Sequence, residues 1–118
     1  MQVAIDGGIV KLTAGAWELV WGTLDPQNLS TQRVIIFSDA TDGEVDITLP
    51  PTSDPKTKEV QLYIINTSDT TNKSYAYPAD GDTLRGETGR ISVFNGYGKG
   101  SGIWLLNLYD SNWNGGNM

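Results

Sequence analysis

The stretch 103–109, Ile-Trp-Leu-Leu-Asn-Leu-Tyr, has the pattern of a β-strand that is apolar on both faces. Ile103 and Leu105 would point to one face, and Trp104, Leu106 and Leu108 to the other. A strand with one face in water is expected to alternate apolar and polar residues. This stretch therefore predicts a strand covered on both sides, with the second cover supplied by an N-terminal arm or by a neighbouring subunit.

Further strand patterns precede this one, at 33–37, 45–49, 60–65, 74–77 and 90–94. Turn-forming residues separate them, for example Asp42-Gly43, Asp80-Gly81 and Asn95-Gly96. No window combines an apolar helical period with helix caps. The chain is therefore expected to be all-β, with a small antiparallel β-sandwich or jelly-roll-like domain over residues 31–109.

The stretch 60–65 repeats the two-faced pattern. Its alternation directs Val60, Leu62 and Ile64 inward, whereas Tyr63 and Ile65 make the second face apolar as well. Apolar residues on an outward face need a cover. Five side chains of these two strands are therefore the candidate oligomer interface: Tyr63, Ile65, Trp104, Leu106 and Leu108.

The two ends of the chain differ from this central part. Residues 1–30 are interpreted as an N-terminal arm for attachment or strand addition, with strands at 3–12 and 16–21 forming a hairpin and a short helix at 25–31. The polar connector 22–32 would separate this arm from the domain. Residues 110–118 are polar and glycine-rich and are expected to be a flexible tail, in which Trp113 is the exception.

Composition excludes several kinds of chemistry. The 118 residues include no histidine and no cysteine, so Ser-His-Asp and Cys-His triads and thiolate metal sites are impossible. The net charge of −6 disfavours nucleic acid as a partner. No signal peptide and no membrane-spanning stretch is recognisable. We expect no cofactor, no metal, no membrane insertion and no signal-directed export.

The acidic residues give only weak signals. Asp39, Asp42 and Glu44 surround a glycine in a loosely calcium-like way, but the longer run of oxygen ligands of an EF-hand is missing. Surface carboxylates on a turn are the favoured interpretation, both here and at Asp80-Gly81-Asp82. No two acids are singled out as a glycosidase pair. The sequence therefore predicts a protein that is not an enzyme.

The chain carries four tryptophans and five tyrosines. Such residues serve as core fillers and subunit contacts, and exposed ones also form platforms on which sugars stack. Core and interface roles are favoured for most of them. Tyr75, Tyr77 and Tyr97 are the candidate ligand platform.

A succession of motifs resembles bacteriophage virion proteins over residues 34–109. A strand ends in Leu-Pro at 47–50, and a lysine-led strand at 58–66 ends in Ile-x-Asn before Thr and Ser. A Gly-Asp-Thr-Leu-Arg-Gly turn follows at 81–86, and a strand, a glycine loop and a tryptophan strand follow at 91–106. The resemblance implies a small β-sandwich, usually trimeric, of the kind found in head fibres, capsid decoration proteins and tail fibres. It transfers no catalytic residues.

The leading hypothesis is a trimeric head-decoration or head-fibre protein of a virion, assembled in the host cytoplasm and attached to capsid or tail proteins through residues 1–30. The chain begins at Met1 and carries its own arm, which favours this hypothesis over a module of a long fibre. The alternative is a receptor- or carbohydrate-binding module of a tail fibre, with a host-surface glycan as partner. A small glycosidase is a distant third.

Overall fold

The chain alternates between two β-sheets. The computed structural model describes residues 1–5, 8–21, 33–57, 60–93, 99–108 and 110–118. Over these residues it forms one 3₁₀ turn (Pro55–Thr57) and eleven strands: β1 (Gln2–Ile5), β2 (Gly8–Leu12), β3 (Gly15–Trp21), β4 (Arg33–Ser38), β5 (Val45–Thr48), β6 (Gln61–Asn66), β7 (Ser74–Tyr77), β8 (Thr83–Leu84), β9 (Ile91–Ser92), β10 (Gly102–Asn107) and β11 (Asn112–Asn117). The all-β prediction is confirmed.

Strands that alternate along the chain stack in parallel. Sheet A has the order β1-β3-β5-β7-β9, and sheet B has the order β2-β4-β6-β10-β11-β8. The ladders from β1 to β7 in sheet A and from β2 to β6 in sheet B are parallel. From β3 to β7, paired residues of neighbouring strands are about 28 to 30 positions apart in the chain. This spacing is one turn of the repeat, and each turn adds one strand to each sheet. The arrangement is β-solenoid-like.

The prediction of an antiparallel sandwich or jelly roll is therefore wrong in topology. Apolar alternation fixes which face of a strand is buried, but it is the same for parallel and antiparallel neighbours. The Asp42-Gly43 turn illustrates the point, because it leads from β4 in sheet B to β5 in sheet A. There the amide of Gly43 donates to the carbonyl of Ala40 at 3.2 Å, and the turn forms a corner of the solenoid.

The core lies between the two sheets and consists of aligned rows of aliphatic side chains. In sheet B, Ile36, Ile64 and Ile103 are in register across three strands, and all three are fully buried. In sheet A, Val45 and Ile47 of β5 are buried, and so is Leu49 just after this strand, as their alternation predicts. Burying each such side chain stabilises the fold by about 1.5–3 kcal/mol.

Residues 1–30 are not a separate arm over the part that the structure describes. The described part holds β1, β2 and β3, which pair within the two sheets, and Ile5, Leu12 and Leu19 belong to the core. β2 and β3 lie in different sheets, so the predicted hairpin is also wrong. The predicted helix at 25–31 lies outside the described residues. The sequence indicated strands in this segment, but local pattern does not show that they pair with β3 and β4 inside the two sheets.

The expected flexible tail at 110–118 contains β11. This strand pairs antiparallel with β10 and parallel with β8. Trp113 is fully buried, and its indole Nε1 donates to the carbonyl of Pro50 at 3.2 Å. Composition indicated a tail because glycines are common in mobile ends, but here they allow close packing against β10. The tail prediction is therefore corrected.

Candidate functional surfaces

The middle of the outward face of sheet B is apolar. One row in register across β2, β4, β6 and β10 consists of Ile9, Ile35, Tyr63 and Trp104. The neighbouring outward residues are Phe37, Ile65 and Leu106. We call these seven residues the outer apolar face. Ile9 is 58% exposed and Trp104 is 42% exposed. Contiguous apolar surface of this kind marks an interaction site in many proteins.

Four of the five predicted interface residues lie on this face. Trp104 pairs directly with Tyr63, and Leu106 of the same strand lies two residues further along. Ile65 lies in the adjacent row, beside Phe37. Leu108 follows β10 and is 55% exposed. The two strands that carry the predicted interface residues, β6 and β10, are thus neighbours in sheet B.

The sequence reasoning missed Ile9, Ile35 and Phe37. The signal for Ile35 and Phe37 was present, since the run Val-Ile-Ile-Phe at 34–37 is apolar on both faces. Ile9 carried no such signal, because the parallel pairing of β2 with β4 is not visible in local sequence.

The indole of Trp104 lies over a glycine of the neighbouring strand. A Cβ atom at Gly116 would be 3.3 Å from the indole Nε1 and 3.7 Å from Cζ2. The absence of a side chain at Gly116 thus lets the ring lie low on β11. A flat aromatic surface results, which is suited to burial against another surface.

The outward face of sheet A carries a polar and aromatic cluster. The Tyr77 hydroxyl donates to Oδ1 of Asp46 at 3.1 Å, and Nη1 of Arg90 donates to the Tyr77 hydroxyl at 3.3 Å. The Arg90 guanidinium lies 3.8 Å from the centre of the Tyr75 ring. The hydrogen bond that Arg90 donates to Tyr77 is the main cause that raises the pKa of Arg90 above its ordinary value.

This cluster bears on the predicted ligand platform. The structure places Tyr75 and Tyr77 together on one outward face, and Tyr97 lies outside the described residues. The face of Tyr75 that is turned to Arg90 is already covered by the guanidinium. Arg90 is held in turn by Glu44 at 3.7 Å. On that side, the ring of Tyr75 is therefore not open for a sugar to stack on it.

Glu44 and Asp46 form a carboxyl pair in the same cluster. A side-chain hydrogen bond to Asp46 raises the pKa of Glu44 above its ordinary value, with desolvation and the charge of Asp46 adding to the shift. Because the folded protein holds this proton more tightly than the unfolded chain, the resulting stabilisation is full below the ordinary pKa of glutamate. It is lost as pH rises through the raised pKa.

Replacing Asp46 with Asn should therefore lower the pKa of Glu44. The amide can donate to the Glu44 carboxylate and carries no charge to repel it. The measurement is a pH titration of the Glu44 side-chain carbon by NMR. Asp42→Asn, in the preceding turn, serves as the control and should leave the Glu44 titration unchanged. A Glu44 pKa that stays raised in Asp46→Asn would show that the pair is not its cause.

A cleft of about 360 Å³ lies at the end of sheet B where β2, β4 and β6 finish. Its lining combines an aromatic ring, a cation, an anion and two hydroxyls: Lys11, Leu12, Thr13, Phe37, Asp39 and Thr67. Hydrogen bonds from the Thr41 hydroxyl and amide are the main causes that hold the pKa of Asp39 below its ordinary value. Asp39 is therefore ionised at neutral pH.

The described ranges of the chain contain neither a metal-binding group of acidic residues nor a membrane-spanning helix. In that part of the chain, no three acidic residues lie close enough together to hold a metal ion. None of its helical segments is both long and apolar enough to cross a membrane. The loosely calcium-like set Asp39, Asp42 and Glu44 is thus not gathered into one site.

Comparison of the chain with protein-family models, with curated proteins and with solved structures finds no match.

Proposed function

We propose that the chain is a non-enzymatic structural protein that assembles with copies of itself through the outer apolar face of sheet B. The observation that carries this proposal is the row Ile9, Ile35, Tyr63 and Trp104, which crosses four adjacent strands on the outward side. Within the described ranges, Trp104 and Ile9 remain substantially exposed. A second copy offers the same apolar surface and can cover them.

A threefold arrangement suits this surface. Sheet B presents a face several strands wide, and three such faces turned toward one axis would enclose an apolar interior. Charged side chains lie beside the face rather than in its middle, since Lys11 pairs with Phe37 at one end and Arg33 pairs with Gln61 at the other. Apolar centres with polar rims are typical of stable oligomer interfaces.

We place this trimer in a virion, as a head-decoration or head-fibre protein. Support comes from the succession of motifs over residues 34–109 that resembles phage virion proteins. In this proposal residues 1–30 contribute to the fold as well as to attachment. The lack of histidine and cysteine supports a structural role over catalysis.

Replacing Leu106 with Asp should abolish assembly. Leu106 is half-buried on the outward side of β10, so a charge there stays hydrated in the monomer. In the trimer it would be buried without a partner, which costs several kcal/mol. Light scattering coupled to size-exclusion chromatography should give three times the chain mass for the wild type and one chain mass for the variant. Circular dichroism should show that the variant keeps its β-structure.

Ala4→Asp is the matched control. Ala4 is exposed on β1 of sheet A, in the other sheet, so the same new charge should leave the trimer intact. A wild-type protein that stays monomeric at high concentration would overturn the proposal. A dimer or tetramer that Leu106→Asp dissociates would keep the interface and correct the number of subunits.

A further inference from the structure

The cleft at the end of sheet B is built by three consecutive turns of the solenoid. The ladder continues one residue past the strands, because the amide of Asp39 donates to the carbonyl of Leu12 at 2.8 Å. The amide of Thr67 likewise donates to the carbonyl of Ser38 at 2.9 Å. Thr13, Asp39 and Thr67 therefore follow the ends of three paired strands, and their spacing is fixed by backbone hydrogen bonds.

Asp39 is prepared to accept hydrogen bonds from a ligand. The amide of Thr41 donates to its Oδ1 at 3.0 Å, and the Thr41 hydroxyl donates to the same oxygen. Across the described ranges no donor contacts Oδ2. Oδ1 thus orients the carboxylate, while Oδ2 keeps its capacity to accept hydrogen bonds.

The remaining lining supplies complementary groups. Phe37 contributes an aromatic ring, and Lys11 contributes an ammonium group. In the part of the chain that the structure describes, Lys11 forms no ion pair with Asp39. The Thr67 hydroxyl donates to the carbonyl of Ser38 at 3.3 Å, so its lone pairs remain able to accept. The formal charges of Lys11 and Asp39 cancel, and the positive charge of Lys99 also helps to lower the pKa of Asp39.

We propose that this cleft binds one sugar ring of a glycan. A hexose presents an apolar C–H face, which can pack on Phe37, and a rim of hydroxyls, which can donate to Asp39 and accept from Lys11. The volume of about 360 Å³ lies at the small end of the ~300–1,000 Å³ of ligand pockets, which suits a single ring. Phe37 lies at the Lys11 end of the outer apolar face and is shared with the cleft. The inference goes beyond assembly, because the polar groups that would hold the sugar belong to Lys11, Asp39 and Thr67, outside the row that contains Trp104.

The test is an NMR titration of the full, ¹⁵N-labelled chain. The probes are glucose, galactose, mannose and N-acetylglucosamine, with leucine as a zwitterionic comparison. At least one hexose should shift the backbone amides of Thr13, Asp39, Thr41 and Thr67, with saturation at millimolar concentration. Asp39→Asn should weaken that binding about tenfold or more, since it removes a charge-assisted acceptor.

Asp42→Asn is the control, because it makes the same change in the same turn without lining the cleft. It should bind the sugar as the wild type does. The inference is overturned if none of the four sugars shifts these amides, if the shifts map elsewhere, if leucine binds in place of a sugar, or if Asp39→Asn binds normally. Light scattering on each variant separates this test from the assembly proposal. Loss of sugar binding with an intact trimer would contradict the sugar site alone.

Discussion

Replacing Trp113 with Ala should lower the free energy of unfolding by about 3–5 kcal/mol, the cost of removing a large aromatic side chain from a core. Trp113 is fully buried, although it lies in the polar, glycine-rich segment 110–118 with five residues after it. The substitution leaves a cavity and also leaves the carbonyl of Pro50 without its indole donor. Urea denaturation at fixed protein concentration measures the loss, because assembly also contributes to stability.

Trp104→Ala is the matched control for this prediction. Trp104 lies on the neighbouring strand but is 42% exposed on the outward face of sheet B. Its removal should cost the monomer much less stability and should instead weaken assembly. Equal losses of stability in the two variants would contradict the assignment of one tryptophan to the core and the other to a contact surface.

Trp113 is important for stability because β10 and β11, the last two strands, connect several parts of the fold. The backbone amide of Arg85 donates to the carbonyl of Trp113 at 2.8 Å, which joins β11 to the region of β8. Asn107, fully buried at the end of β10, donates to the carbonyl of Thr52 at 2.9 Å and to the Thr57 hydroxyl at 2.6 Å. The C-terminal strands thus fix the segment after β5. They close the core at the end where parallel stacking gives way to antiparallel pairing.

Local pattern predicted the strands of the central part well. The stretches 33–37, 45–49, 60–65, 74–77 and 103–109 correspond to β4, β5, β6, β7 and β10. Val60, Leu62 and Ile64 are buried and Tyr63 faces outward, as alternation requires. These features depend only on the period of a strand, which is a property of neighbouring residues.

Topology depends on partners that are distant in the chain, and local pattern did not predict it. β5 pairs with β3 and with β7, each about one solenoid turn away, while its neighbour in sequence, β6, lies in the other sheet. The same limit explains the missed β11, whose glycines have a function only beside β10. Of the candidate surfaces, the outer apolar face was visible in part as strands with two apolar faces. The cleft was not, because it joins residues from three successive turns.

Replacing Gly115 with Ala should destabilise the fold by about 3 kcal/mol or more, at or above the upper end of the cost of overpacking. A Cβ atom at this position would overlap the carbonyl oxygen of Trp104, lie 3.0 Å from its carbonyl carbon and lie 3.1 Å from the Cα of Leu105. These are backbone atoms of β10, which also pairs with β6, so they cannot turn away as the end of a side chain can. Thermal denaturation of both proteins at equal concentration measures the effect.

Gly116→Ala, one residue further along β11, is the control that separates close backbone packing from a general intolerance of side chains. Its Cβ would meet only the indole of Trp104, at 3.3–3.7 Å, and that ring lies on the open face of the sheet. Because the ring can tilt outward, we expect a loss of stability below about 1 kcal/mol. Tilting the ring would roughen the outer apolar face, so Gly116→Ala should weaken assembly while the monomer stays stable. If Gly115→Ala proves as mild as Gly116→Ala, then β11 is not held against β10 as the register of the two strands requires, and residues 110–118 act as the flexible tail that their composition predicts.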